Sequence, residues 1–201
     1  MVAVRPGELP HEVWACVPDN YAPSVGHGLV IWLQGSNAVD PKELLSRWAP
    51  HCLRQELIFV VPKPASGTRW SAADAPLVRK LVEEMQSSYT IDPARVVVVG
   101  QEGGGTLAYQ AAFEQRELIR ALIAVDAPLL IRPPENEPLQ SLSFLLLKAG
   151  NALLRPMVTQ TAATLQALKF PVTTKDLPAG GLSDPAELAE IARWVDMLDR
   201  I

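Results

Sequence analysis

Histidine runs out early in this chain. His11, His27 and His51 are its three histidines, and none lies beyond residue 51. No later loop can therefore supply an imidazole, the side chain best matched to proton transfer near neutral pH. Cysteine is scarce as well. Cys16 and Cys52 are too few for a disulfide framework or a zinc site, and they read as small buried hydrophobes. No metal site and no cofactor is expected. Gly103-Gly104-Gly105 lacks the G-x-G-x-x-G spacing of a dinucleotide loop, and Glu102 beside it would repel a phosphate. No basic run or stripe interrupts a net charge of −4, which argues against a nucleic-acid partner. The apolar runs are strand-length, well short of the ~20 residues of a membrane span. Residues 2–10 contain no apolar stretch of the kind that forms a signal peptide.

The chain is otherwise ordinary globular material. It has 201 residues, 48% hydrophobic and 20% charged, enough for one domain over residues 1–201. Apolar runs alternate with amphipathic ones, which predicts a three-layer α/β/α sandwich around a mostly parallel, doubly wound sheet of seven or eight strands. Strands are expected over residues 12–17, 29–33, 57–61, 96–99, 121–125, 143–147 and 172–175. The continuous apolar run Leu29-Val30-Ile31-Trp32-Leu33 and the all-valine run at residues 96–99 read as buried central strands. Helices are expected over residues 41–55, 74–89, 103–115, 157–168 and 185–198. Asp40 and Asp184 stand as N-caps before Pro41 and Pro185 at the first helical position. The proline-rich stretch at residues 132–138 reads as an excursion loop, too short to divide two domains. Of five tryptophans, Trp14, Trp32, Trp48 and Trp194 fall on core faces, and Trp70, on a loop at the strand ends, is the exposed one.

In a sheet of this type, sites form beyond the carboxyl ends of the strands. The strand at residues 96–99 runs straight into Gly100-Gln101-Glu102-Gly103-Gly104 and a helix follows. With Trp32-Leu33-Gln34-Gly35-Ser36 after the strand at residues 29–33, this order resembles the α/β-hydrolase superfamily. The likeness is to its compact esterase and polyester-depolymerase-like branch, with little or no lid, and it spans nearly the whole chain. The resemblance implies a nucleophile elbow, G-x-S-x-G, with its serine on the sharp strand-to-helix turn. It also implies His-Gly in the oxyanion loop, a late acid, and Gly-Gly-His before the last helix. This sequence departs at each catalytic letter. Glu102 stands at the nucleophile position, framed by Gly100, Gln101, Gly103 and Gly104. Gln34 replaces the oxyanion-loop histidine, while Gly35 and Ser36 remain. Asn151 or Asp126 takes the place of the acid, and Leu182, in Ala179-Gly180-Gly181-Leu182, takes that of the histidine.

The order Ser…Asp/Glu…His belongs to this fold, and here nucleophile and base are both replaced. Ser36 and Ser71 have no evident base. The expectation for Glu102 is structural: its carboxylate caps the free N–H groups at the following helix start, filling the former oxyanion hole. The three glycines after it would let the turn relax.

Three functions compete. The first is a non-catalytic module for interaction, substrate docking or structural support. Segments such as Ile91-Asp92-Pro93-Ala94-Arg95, Arg132-Pro133-Pro134-Glu135-Asn136 and Ile191-Ala192-Arg193-Trp194 support it. They resemble the degenerate hydrolase domain at the C-terminal end of some bacterial trypsin-like proteases with PDZ modules. That resemblance implies an excised domain, other domains of the same polypeptide or a protein as partner, and an exported or periplasmic location; without it, a cytoplasmic one is expected. The second is an ester hydrolase with an unorthodox site centred on Glu102 as carboxylate nucleophile. It needs a base for water, which His27 or His51 could supply only by folding back on the elbow. The third is a small-ligand binder using the vestigial cleft, where a glutamate favours a cationic or hydroxyl-bearing ligand.

Overall fold

The computed structural model describes residues 2–4, 10–35, 39–178 and 181–200. Ser36, Ala179 and Gly180, which the sequence places in the loop after the strand at residues 29–33 and in the turn before the last helix, lie outside these residues. Among the described residues, eight strands form one sheet: β1 (Val2–Val4), β2 (Val13–Cys16), β3 (His27–Leu33), β4 (Leu57–Pro62), β5 (Ile91–Gln101), β6 (Ala121–Val125), β7 (Ser143–Lys148) and β8 (Val172–Asp176). Their order is β1-β2-β4-β3-β5-β6-β7-β8. The β1–β2 and β2–β4 pairings at one edge are antiparallel, and every pairing from β4–β3 to β7–β8 is parallel.

Strand alternation sends side chains to two cores, one per face. Leu29, Ile31, Leu33, Val96, Val98, Leu122 and Ala124 join α2 (Leu77–Ser88), α3 (Gly105–Glu114) and α4 (Arg155–Ala167). Val30, Trp32, Val97, Val99, Ile123 and Val125 join α1 (Pro41–Gln55) and α5 (Pro185–Asp196). The central strands are buried on both faces, which is why they read as unbroken apolar runs. The three-layer α/β/α arrangement expected from the sequence is the observed one. Asp40 and Asp184 cap α1 and α5 through bonds from the Lys42 and Ala186 N–H groups at 2.8 and 2.9 Å.

Several boundaries differ. β1 is not among the expected strands, since three residues give no readable alternation. β5 starts at Ile91, ahead of the valines. The helix expected from residue 74 starts at Leu77, after a 3-10 turn at Ala72–Asp74. The Asp74 carboxylate is engaged by the preceding loop instead, accepting from Ala65 N–H at 3.0 Å and Ser71 N–H at 2.7 Å. Among the described residues, no helix connects β6 to β7. The connection over residues 126–142 is irregular and is fixed by Leu129 N–H to Thr161 Oγ1 at 2.9 Å and Arg116 Nη2 to the Glu135 carbonyl at 2.8 Å.

Candidate functional site

The ends of β3, β5, β6 and β7 surround a cleft of about 240 Å³. Its core is the turn after β5. Gly100 closes the strand against α3: a Cβ there would lie 2.6 Å from both the Ala108 Cβ and the Gly105 Cα. At Gly104 a Cβ would lie 2.2 Å from the Leu33 carbonyl oxygen. These flanking glycines are required by close approach, the reason an elbow of this type carries them. Gly103 faces open space and carries no such demand.

Glu102 sits at the apex with φ +47°. A non-glycine residue there costs on the order of 1–3 kcal/mol. The expected relaxation of the turn by the three glycines does not occur, because Gly104 and Gly105 are held by packing and cannot absorb the bend. Nor does the carboxylate cap the helix start. Among the described residues it has no hydrogen-bond partner, and its Oε2 lies 2.6 Å from where a Cβ on Gly35 would stand. The half-buried side chain thus rests on the Gln34–Gly35 segment, along the cleft wall.

The loop after β3 is pinned. Gln34 Oε1 accepts from Val39 N–H at 3.0 Å and its Nε2 donates to the Val39 carbonyl at 3.2 Å, closing the loop on itself. Trp70 Nε1 donates to the Gln34 carbonyl at 2.7 Å. Trp70 is therefore a half-buried clamp, not the free surface aromatic expected from its loop position. Gln101 lines the cleft with its Oε1 taking the Trp32 indole N–H at 3.3 Å.

Of the two candidates for the acid position, Asp126 is the one that faces the cleft. It follows β6 immediately, with φ +44°. Its carboxylate accepts the Ala149 N–H at 2.8 Å and the Asn151 N–H at 3.2 Å, tying the β7 loop to β6. Asn151 is exposed, and its side chain accepts from Leu153 N–H at 3.1 Å in a local turn. Asn151 thus lies in the expected neighbourhood, but its amide serves that turn. Leu182, in a 3-10 turn at Gly181–Ser183, lines the same cleft. The structure brings together Glu102, Asp126 and Leu182, three positions that the resemblance assigned to one site.

Among the described residues, no histidine lines this cleft. His11 Nε2 meets Asp74 Oδ1 at 2.6 Å in a buried pair. His27 Nδ1 bonds the Val25 carbonyl at 2.9 Å. His51 is buried on α1 against Trp48, where burial first and Arg54 second hold its pKa below the usual histidine value. The His11–Asp74–Ser71 cluster contains the residue types of a triad in the wrong connectivity. Ser71 Oγ donates to Asp74 Oδ2 at 2.9 Å, so serine and histidine share the carboxylate and neither bonds the other. Burial raises the Asp74 carboxyl, but the bonds from Ala65, His11 and Ser71 outweigh it and leave the group below the usual carboxylate value.

Sequence reasoning missed Arg47 and Ser183 in the cleft lining. Arg47 lies on the second turn of α1, whose start faces the strand ends, and its guanidinium pairs with Glu43 one turn back. The signal available was the helix phase: residues 44 and 47 follow Pro41 at helical spacing.

Neither a family model nor a curated protein sequence matches the chain. Solved structures do. An alpha/beta hydrolase enzyme from a Medee basin deep-sea metagenome library superposes with a TM-score of 0.72 at 13% identity, covering 100% of this chain and 98% of its own. The Bacillus cereus carboxylesterase gives 0.68 at 14% identity, covering 94% of each chain. A thermostable esterase gives 0.64 at 15% identity over 94% of this chain, which spans only 56% of that protein's length. Likeness at this level of identity shows the fold: the chain has the α/β-hydrolase fold.

Proposed function

We propose that this chain is a non-catalytic α/β-hydrolase-like domain, an interaction, substrate-docking or structural module whose partner is another domain of the same polypeptide or a separate protein. The observation that carries the reading is the placement of the three histidines. Each is engaged elsewhere in the fold, and the cleft offers Glu102, Asp126 and Leu182 where a nucleophile, an acid and a base would stand. Losing a triad base costs orders of magnitude in rate, and here the hydroxyl is lost with it. A carboxylate nucleophile at Glu102 would form an ester whose hydrolysis needs a base to activate water. Among the described residues lining the cleft there is no histidine to serve as that base.

The solved neighbours named above are esterases and hydrolases, and that activity is theirs. A panel of short p-nitrophenyl esters tests whether this chain shares it. The reading expects turnover indistinguishable from buffer, unchanged in Glu102→Ala. Turnover that persists through purification and disappears in Glu102→Ala would establish the ester hydrolase instead. A second reading, binding of a small cationic or hydroxyl-bearing ligand, is favoured by the Glu102 carboxylate on the cleft wall, which has no hydrogen-bond partner among the described residues. A thermal-shift screen of amines and polyols separates it: the binder requires a shift that Glu102→Gln removes.

A further inference from the structure

Two cysteines separated by 36 positions in the sequence meet in the fold. Alternation along β2 turns Trp14 and Cys16 towards α1, and Val13 and Ala15 to the opposite core. On α1 the buried stripe Leu44, Leu45, Trp48, His51 and Cys52 faces the sheet. Cys16 pairs with Phe59 of β4, and the Phe59 ring stacks on Trp48 at 4.4 Å, one turn of α1 before Cys52, so both thiols enter the same core around that ring pair. Both are free thiols. Their exposure is unequal: Cys16, the last residue of β2, keeps 6% of its surface accessible, and Cys52 keeps none.

We propose that Cys16 and Cys52 are a reversible thiol–disulfide pair, closed by a peroxide and reopened by a dithiol, which staples α1 to β2. The Cys16 sulfur attacks the peroxide O–O bond. An S–O bond forms, the O–O bond breaks, and Cys16 becomes a sulfenic acid as the first water leaves. The Cys52 sulfur then displaces the sulfenic hydroxyl. The S–S bond forms, the S–O bond breaks, and the hydroxyl departs with the Cys52 proton as the second water. The two thiols together lose two electrons and two protons, and the peroxide takes up both. The neighbouring Cys52 thiol lowers the Cys16 pKa against the opposing effect of burial, while the Cys16 thiol and burial raise Cys52. This ordering makes Cys16 the attacking thiol and Cys52 the resolving one. The staple also reaches the cleft, because Leu44 and Arg47 on the same helix form part of its wall.

Hydrogen peroxide on the folded chain, followed by intact-mass measurement, tests the pair. The expected product is 2 Da lighter, monomeric on non-reducing gels and restored by dithiothreitol. Trypsin should then yield the peptide ending at Lys42 joined to the peptide of residues 48–54. The crosslinked form should melt about 8–15 °C higher, as expected for a closed loop of this length in a 200-residue fold. Cys16→Ala and Cys52→Ala should each abolish the 2 Da loss. Because the peptide link is read on the native chain, the test stands even where a variant fails to fold. Two thiols still titratable after denaturation, a gain of 16 Da without the 2 Da loss, or disulfides only between chains would each overturn the proposal.

Discussion

Glu102 and Asp126 stand side by side and lead different lives. Gln101 and Val125 are register partners on adjoining parallel strands, so the two acids are the next residues on each. Both adopt left-handed backbone, at φ +47° and +44°. Asp126 is 7% exposed, and its carboxylate is occupied by two backbone N–H groups from the β7 loop. Glu102 is half-buried, and its carboxylate has no hydrogen-bond partner among the described residues. Aspartate tolerates left-handed backbone better than glutamate, because its short side chain bonds locally. One acid thus holds the cleft together, and the other occupies its apex at a cost. Frame and occupant of this site are under separate physical control.

The comparison breaks most visibly at Asp126. Asp126→Ala removes two charged hydrogen bonds worth about 1.5–3 kcal/mol each; the exposed Asn151 N–H recovers part of its share from water, so the change should cost about 2–4 kcal/mol in urea unfolding. A loss under about 0.5 kcal/mol would mean that the two acids are equivalent. At the apex the sign should reverse. Glu102→Gly removes the backbone strain and should leave stability unchanged or raise it by about 1 kcal/mol, the gain being reduced by greater freedom of the unfolded chain. A loss comparable to that of Asp126→Ala would show Glu102 to be a structural strut.

Acid titration sharpens the contrast with two buried groups away from the cleft. His51 has a lowered pKa in the fold, so the unfolded chain takes up its proton first, and stability should fall as pH drops below about 6.5. His51→Gln should flatten that limb in pH-dependent melting. Asp74 is also lowered, so its contribution is complete above the unfolded value of 3.8 and is lost as pH falls through the lower folded value. Asp74→Asn should remove this second, more acidic limb. The smallest effect belongs to Glu102→Gln, which should stay within about 0.5 kcal/mol of the parent in the same unfolding assay, since the carboxylate has no hydrogen-bond partner among the described residues to lose.

Much of this is legible in the sequence because it depends on short-range pattern. Apolar runs at residues 29–33 and 96–99 specify buried parallel strands, and Gly100 and Gly104 at fixed offsets specify a tight strand-to-helix turn. Position 182 reaches the cleft because the turn before α5 is fixed by the Asp184 cap. What cannot be read depends on pairing at a distance. Asp74 looks like a helix start until Ala65, Ser71 and His11 are seen to converge on it. Trp70 looks free until the Gln34 carbonyl is placed beside it. Cys16 and Cys52 look like unrelated small hydrophobes, since nothing local records that one strand face and one helix stripe share a core. The strain at Glu102 is hidden for a related reason: its glycine neighbours look permissive in sequence, but Gly104 and Gly105 are already held in contacts with β3 and Ala127.

The central claim is that the elbow keeps its frame while the groups for attack are missing. Fluorophosphonate labelling, read by intact mass, measures an activated serine directly. The native chain should remain unlabelled. The double variant Glu102→Ser with Leu182→His should label stoichiometrically, and Glu102→Ser alone at least about 100-fold more slowly, since the base makes the difference. Equal rates for single and double variants, or a folded double variant that stays unlabelled, would contradict the account.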